Sequence, residues 1–231
     1  MQKPQKGAPC DHGSFYSGVN MAGTITSLRF QKRTPDRVNV YLDGKFAFGL
    51  PAVEAARLRV GQFLSDAEIG RLQACDLEQK AYDRAVRFLS YRPRSQAEVR
   101  QHLARAGLDE GVVEAVLTRL VNHGYLDDAE FARFWVENRQ RFRPRGAHTL
   151  RQELQRKGLD NETIGGALTD LDPLAEAYQA ARPRALRLAG VLASTPLAFR
   201  RKLHDFLLRR GFDYDVIKQV VSRLEQELRT D

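Results

Sequence analysis

The sequence predicts a mainly α-helical protein of three tandem three-helix repeats in an elongated, curved array, with a small N-terminal β-hairpin or three-strand extension. Three observations predict it: a glycine–apolar–aspartate triplet recurring about every 50 residues, apolar stripes at helical spacing around each triplet, and strand-like alternation confined to residues 24–50. We therefore expect the following divisions: a disordered leader at 1–23, the β extension with a short helix at 24–62, and helical repeats at 63–123, 124–172 and 173–228.

The first twenty residues mix Pro, Gly, Lys, Asp and Ser without periodicity, which is typical of a disordered leader. Signals of order begin only after Met21, which is an alternative start. The leader holds no apolar run like that of a secretory signal, and no window approaches a membrane span. With only Cys10 and Cys75 present, a disulfide framework is not expected. These features predict a cytoplasmic protein.

Residues 24–50 show the alternation of a half-buried sheet. Val38, Val40 and Leu42 alternate with polar neighbours, and Phe46 and Phe48 do the same beyond Asp43-Gly44. Asp-Gly between two such runs favours a type I′ hairpin turn, because glycine tolerates positive φ. Residues 24–30 add a possible third strand, and a helix starting near Pro51 is expected to cover the apolar face.

From about residue 66 onward the pattern is helical. Ser65 and Glu68 have the spacing of a capping box. The strongest signal follows: Gly107, Gly158 and Gly211, 51 and 53 residues apart, each precede an apolar residue and then aspartate. Glycine can end a helix in the left-handed conformation, the apolar residue can pack back, and the aspartate can cap the next helix. Each triplet therefore predicts a corner between two helices.

Apolar stripes flank each triplet. Upstream pairs stand at i, i+4, and downstream sets follow i, i+3, i+4, i+7, which is the pattern of one helical face. The upstream pairs are Val99 and Leu103, Leu150 and Leu154, and Leu203 and Leu207. The downstream sets begin at Val113, Ile164 and Ile217. Helices at 77–90, 128–142 and 174–188 are expected to complete the three modules.

Positive charge is concentrated in two segments. The net charge is +8, yet residues 139–157 hold seven basic residues against one acidic residue, and residues 182–210 hold eight against one. The rest of the chain is therefore net negative, and this polarity favours a binding surface for a polyanion or an acidic protein. The candidate binding residues are Arg92, Arg94, Arg139, Arg141, Arg143, Arg145, Arg151, Arg156, Lys157, Arg182, Arg184, Arg200, Arg201, Lys202, Arg209 and Arg210.

Two Arg-Pro-Arg tripeptides occupy the same repeat position. Residues 92–94 and 143–145 each place proline fourteen residues before the triplet glycine. Because proline disfavours helix in the residue before it, each tripeptide predicts a corner, and Ser95 with Glu98 predicts a capping box. A helix start flanked by two arginines is either a phosphate or carboxylate site or a solvated corner. A similar tripeptide, residues 182–184, is out of register.

No catalytic set stands out, and no enzyme activity or cofactor is expected. The sequence lacks a glycine-rich phosphate loop, and Cys10 with His12 is too short a spacing for a zinc site. The other histidines, His102, His123, His148 and His204, are scattered and are interpreted as ordinary surface or boundary residues. Asp127, Asp128 and Glu130 are compatible with a divalent metal for nuclease chemistry, but they open a predicted helix, where acidic residues serve as caps.

Three blocks in order resemble the RecX family of recombination regulators. They are residues 89–95 (LSYRPRS), residues 124–132 (GYLDD with Phe131-Ala132), and residues 145–158 (Arg145-Gly146 leading to LQRKG). The resemblance covers about residues 65–228 and is weakest in the third repeat, which has no arginine corner in register. Residues 1–64, with the β-hairpin, are expected to fall outside the family core.

The resemblance implies a fold and a role. Proteins of the RecX family are three tandem three-helix repeats that bind the groove of RecA filaments. They inhibit strand exchange and RecA-dependent ATP hydrolysis, and they block filament extension or promote disassembly in recombination, repair and the SOS response. They also bind single- and double-stranded DNA, and they need no cofactor. This implies a monomeric, non-membrane regulator; the alternative is a RecA-independent DNA- or RNA-binding helical repeat protein.

Overall fold

The computed structural model describes residues 22–32 and 34–230. The leader predicted at 1–23 lies almost entirely outside them, as do Cys10, His12 and Met21. By packing, the chain divides into two compact units at Lys80 and Ala81. Helix α2 (Asp66–Leu89) contributes residues to both.

The N-terminal unit contains an antiparallel sheet built from the predicted alternating residues. Its strands are β1 (Gly23–Phe30), β2 (Arg37–Leu42), β3 (Lys45–Pro51) and the two-residue β4 (Phe63–Leu64), in the order β3-β2-β1-β4. The turn between β2 and β3 has positive φ at Asp43 (48°) and Gly44 (81°), as a type I′ turn requires. The predicted hairpin and third strand are confirmed, and β4 was not predicted.

One apolar residue of the hairpin faces outward, contrary to prediction. Phe48 is buried, but Phe46 is 60% exposed and meets Tyr41 edge-on. The reason is a register shift in the ladder, where Val40 pairs with Phe48 but Tyr41 already pairs with Phe46. A bulge of this kind inserts an extra residue and reverses which side of the sheet a residue faces.

The helix expected at Pro51 covers only part of the sheet. Helix α1 (Ala52–Ala55) is a single turn, and Ala55 is its one buried residue. The first turns of α2 complete the cover, because Ile69 is buried in the same apolar cluster and Leu72 packs against it. An ion pair of 2.6 Å joins the sheet to α2 through Arg37 and the largely buried Asp76. The predicted Ser65–Glu68 capping box at the start of α2 is confirmed.

The C-terminal unit is helical, as predicted. After α2 come α3 (Gln96–Ala104), α4 (Glu110–Asn122), α5 (Asp128–Phe142), α6 (Ala147–Arg156), α7 (Asn161–Leu168), α8 (Pro173–Arg187), α9 (Ala189–Ser194), α10 (Pro196–Leu208) and α11 (Tyr214–Thr230). The stripes predicted around the triplets face inward: Leu103, Leu150, Leu154, Leu203 and Leu207 have no exposed surface.

Three separate apolar clusters show that the helices form three modules. The first module comprises the end of α2 with α3 and α4, the second α5 to α7, and the third α8 to α11. The third departs from a three-helix pattern through the short helix α9, which was not predicted. Leu188 leaves helical geometry (φ −100°, ψ 8°) and ends α8, and Thr195-Pro196 then starts α10.

The three triplet glycines end their helices in the left-handed conformation, with φ of 77° at Gly107, 82° at Gly158 and 79° at Gly211. Contrary to prediction, the triplet aspartates do not all cap the following helix through a side-chain hydrogen bond. Asp160 accepts a hydrogen bond from the backbone N–H of Thr163, whereas Asp109 occupies the N-cap position without a side-chain hydrogen bond. Across the part of the chain that the structure describes, no helix combines the length and the apolar character needed to cross a membrane.

Candidate nucleic-acid interface

The first Arg-Pro-Arg corner lies at a joint between two modules. It leads into α3, whose first turn is closed by the predicted Ser95–Glu98 capping box. The hydroxyl of Ser95 also donates to the backbone carbonyl of Lys157 at 2.6 Å, so the corner after α6 docks onto the start of α3. This corner therefore joins the first module to the second.

Glu98 pairs with a cation on each side of this joint. Its Oε1 lies 2.8 Å from Arg92 Nη2 and 2.8 Å from Lys157 Nζ. Burial alone would raise the pKa of Glu98, but the hydrogen bonds and charges of Arg92 and Lys157 outweigh it and lower the pKa to about 2. Two predicted binding residues are thus partly engaged inside the molecule.

This joint predicts acid-sensitive stability. Because the folded pKa of Glu98 is depressed, its stabilising contribution is present above the ordinary value of 4.5 and is lost as pH falls toward 2. We expect Glu98→Gln to be less stable than the parent at pH 7, with the difference narrowing as pH falls below 4.5. Urea unfolding between pH 7 and pH 3 measures this; a difference independent of pH would contradict it.

The second joint repeats the first one module later. The backbone N–H of Gly146, at the start of α6, donates to the carbonyl of Arg210 at 2.9 Å, and Arg210 Nη1 donates to the Pro144 carbonyl at 3.0 Å. A Cβ atom on Gly146 would clash with the backbone of Gly211. The two main chains therefore touch, and the second Arg-Pro-Arg corner joins the second module to the third.

Guanidinium groups from the two basic segments meet at this second joint. Burial, together with the charges of Arg145, Arg143 and Arg184, lowers the pKa of the Arg210 guanidinium. Arg210 and Arg184 both lie over the ring of Phe206, at 4.5 Å and 5.0 Å from its centroid. We call Arg143, Arg145, Arg184 and Arg210 the arginine cluster; it brings together residues far apart in sequence.

The carboxylate of Glu153 partly neutralises the positive charge beside the arginine cluster. Glu153 accepts from Arg139 Nε at 2.7 Å and from Trp135 Nε1 at 2.8 Å, and it lies 3.2 Å from Arg145 Nε. Arg139 also lies 4.4 Å from the centroid of the Trp135 ring, and Lys157 lies 5.0 Å from it. Arg139 is therefore mainly a packing and pairing residue rather than an exposed cation.

The remaining candidates divide into exposed and engaged side chains. Arg94 is engaged: its guanidinium lies 3.9 Å from the centroid of Phe88, which stacks on His102. Arg200 forms a bidentate pair with the buried Glu225. Arg182 and Arg184 lie inside α8, where Pro183 is tolerated without a corner. The exposed candidates are Arg92, Arg141, Arg143, Arg151, Arg156, Arg182, Arg184, Arg200, Arg201, Lys202 and Arg209, of which Arg92 and Arg200 are also paired with a carboxylate.

A groove between α10 and α11 contains residues that sequence reasoning missed. It has a volume of about 490 Å³, and Arg200 and Arg201 line one wall. Tyr214 and Lys218 line the other wall and were not predicted as functional. Their i, i+4 spacing at the start of the last helix places them on one helical face. That segment has no excess of positive charge from which the sequence could have predicted a binding role.

Asp127 and Asp128 act as caps. The carboxylate of Asp127 accepts from the backbone N–H groups of Ala129 and Glu130, and Asp128 accepts from the N–H of Gln96 at 2.9 Å. The two carboxylates thus serve different helix starts. Among the described residues, no group of three or more His, Cys, Asp or Glu side chains is arranged to hold a metal ion.

Family models match the chain in four consecutive blocks. The model of the regulatory protein RecX N-terminal domain matches residues 23–64. Those of the first, second and third RecX three-helix domains match residues 81–120, 127–168 and 175–221. The match at 23–64 corrects the expectation that residues before 65 fall outside the family core. The three blocks that resemble the family all lie in the helical part, which left the sheet unassigned.

Individual RecX proteins and a solved RecX structure are also similar to this chain. The chain is 34% identical over 207 residues to the regulatory protein RecX of Bacillus subtilis, covering 88% of this chain and 78% of that protein. It is 26% identical over 206 residues to a regulatory protein RecX of Listeria monocytogenes, covering 88% and 77%. A crystal structure of regulatory protein RecX superposes with a TM-score of 0.71 at 30% identity, over 85% of this chain and 98% of the other.

Proposed function

The chain belongs to the RecX family of regulatory proteins, and from this premise we propose that it binds the RecA–DNA filament and restrains RecA. In this proposal it inhibits the recombinase and ATPase activities by blocking filament extension or promoting disassembly. It acts by binding and not by catalysis, as a monomer in the cytoplasm, and it contacts single- and double-stranded DNA. The modules at 63–123, 124–172 and 173–228 act as one binding body, with residues 24–62 as the N-terminal domain.

The arginine cluster is the observation on this chain that supports the proposal. It gathers cations from two modules at one joint, and Arg143 and Arg184 are exposed there. Arginine offers a planar fork of donors suited to phosphate and to carboxylate, so the cluster suits DNA backbone or an acidic protein surface. A filament made of protein and DNA offers both.

Titration of RecA ATPase tests the proposal. RecA hydrolysing ATP on single-stranded DNA is mixed with increasing amounts of this protein, from substoichiometric to equal ratios. We expect hydrolysis to fall progressively. Full ATPase and strand-exchange activity with the protein in excess would refute the proposal.

A binding test without DNA separates this role from RecA-independent nucleic-acid binding. Both roles predict DNA binding, so immobilised RecA is incubated with the protein in the presence of nuclease. Retention supports direct recognition of RecA. Absence of retention, with intact DNA binding, would favour the alternative of a RecA-independent nucleic-acid-binding protein.

The charge of the second joint gives a residue-level prediction. We expect Arg141, Arg143 and Arg145 changed together to Ala to weaken DNA binding and to flatten the dependence of affinity on salt. If all three contact phosphates of single-stranded DNA, the slope falls by about 2, since each contact contributes about 0.7. Folding should persist, because Glu153 keeps its hydrogen bonds from Arg139 and Trp135.

The matched control removes the same charge from the first module. Arg84, Arg87 and Arg105 are exposed and lie outside both basic segments. Their triple alanine variant should bind nearly as the parent does. Fluorescence anisotropy with labelled oligonucleotides measures both variants at several salt concentrations. Equal losses in the two variants would show that net charge, and not the joint, sets the affinity.

A further inference from the structure

We propose that the groove between α10 and α11 is a subsite for single-stranded DNA, in which Tyr214 stacks on an unpaired base while Lys218 and Arg201 contact the flanking phosphates. The proposal rests on the proposed function, since it assigns to one place the DNA contact inferred there. It adds residues outside the segments that carry the charge excess.

The groove combines an apolar floor with a polar rim. The floor is formed by Ile217 and Val221, which are 0% and 7% exposed. The walls rise on both sides from α10 and α11 and enclose about 490 Å³, within the range of small-ligand sites. A base can therefore lie between the two walls, against the exposed ring of Tyr214, while its backbone stays at the rim.

Tyr214 stands at the edge of this groove with its ring available. Its side chain is 65% exposed, and its ring meets His204 edge-on at 5.7 Å between centroids. An aromatic residue this exposed adds little to the core, so packing does not explain it. Stacking of a base on an aromatic face is the main attraction in sites for unpaired strands, and it tolerates any base sequence.

The charges at the rim are positive. Glu225, the acidic lining residue, is only 6% exposed, and its carboxylate accepts from Arg200 and from Arg229. Those two arginines outweigh its charge. Lys218 lies one helical turn beyond Tyr214 on the same face, and Arg201 is exposed on the opposite wall. The groove is therefore net cationic, which suits a strand of phosphates rather than a basic peptide.

A concave site with an aromatic edge favours an unpaired strand over a duplex. In a duplex the bases are already stacked on one another, so they cannot occupy the floor without being extruded. A single strand presents free base faces. The groove is thus expected to prefer single-stranded DNA, whereas the arginine cluster, which suits phosphate groups, is expected to bind both forms.

Affinity for a labelled oligothymidylate tests the proposal in the full chain. We expect Tyr214→Ala to weaken binding about 5- to 150-fold and Tyr214→Phe to bind almost as the parent does. Lys218→Ala should reduce the salt slope by about 0.7. Lys45→Ala is the matched control, since it removes the same charge from an exposed position of β3 that is outside the groove lining and outside the candidate binding residues. Unchanged melting curves establish that each variant is folded.

The outcomes separate this proposal from the function on which it rests. Parent-like binding by Tyr214→Ala, while the parent binds oligothymidylate, overturns the subsite and leaves the proposed function intact. An equal loss on duplex DNA also overturns it, because stacking on unpaired bases would then not be the cause. If the parent itself binds no oligothymidylate at low salt, the DNA contact of the proposed function fails first. Loss of RecA retention by Tyr214→Ala without DNA would reassign the groove to protein contact.

Discussion

Changing Leu154 to Ala is expected to lower the free energy of unfolding by about 2–5 kcal/mol, the usual range for deleting a fully buried leucine side chain. Leu154 has no exposed surface and lies in the apolar cluster of the second module. Its backbone carbonyl also accepts from the N–H of Leu159 in the corner that follows α6. The second module should therefore loosen, and with it the support for both joints.

Chemical denaturation with urea measures this loss. The control is Leu197→Ala, the same substitution at a side chain that is 75% exposed, for which a change within about 0.5 kcal/mol is expected. Denaturation midpoints of Leu154→Ala and the parent that agree would mean that α6 is less tightly packed than its burial indicates.

A single added methyl group at Gly146 is expected to cost about 1–3 kcal/mol, the usual effect of overfilling a packed interior. A Cβ there would meet the carbonyl of Gly211 and the backbone nitrogen of Phe212, not the end of a flexible side chain. Because main-chain atoms cannot rotate away, the second and third modules must separate or α6 must shift. The hydrogen bond between Gly146 and Arg210 would be lost with either movement.

Gly165→Ala provides the comparison. Gly165 lies in α7, and a Cβ at that position meets nothing within 4 Å. Alanine favours a helix over glycine by about 0.5–1 kcal/mol, so this variant should be slightly more stable than the parent. Thermal melting followed by circular dichroism ranks the three proteins. A Gly146→Ala melt at or above that of the parent would show that the joint accommodates a side chain.

Local signals explain why most of the fold could be predicted. A glycine that ends a helix and an apolar stripe along one helical face are both determined by residues close in sequence. The roles of Gly158 and Leu154 could therefore be predicted without knowing which distant residues they contact. The errors arose where the cause is not local. The bulge that turns Phe46 outward depends on pairing with another strand, and α9 packs against both α8 and α10.

The candidate site could be predicted only in outline, for the same reason. Charge density identified the two basic segments, but it could not show which cations are already paired. Glu98 and Lys157 meet across 59 positions, and Arg200 meets Glu225 across 25. Tyr214 shows the converse: no pattern in the sequence distinguished it, and only its exposure in the folded chain marks it for binding.

Trp135, the one tryptophan of the sequence, makes the contact between the first two modules visible to spectroscopy. Its indole lies near Lys157, whose carbonyl holds Ser95. Movement at that contact would change the surroundings of the indole and hence its emission wavelength and intensity. Unmodified protein can thus report, through intrinsic fluorescence, whether these neighbours stay together when the molecule engages its target.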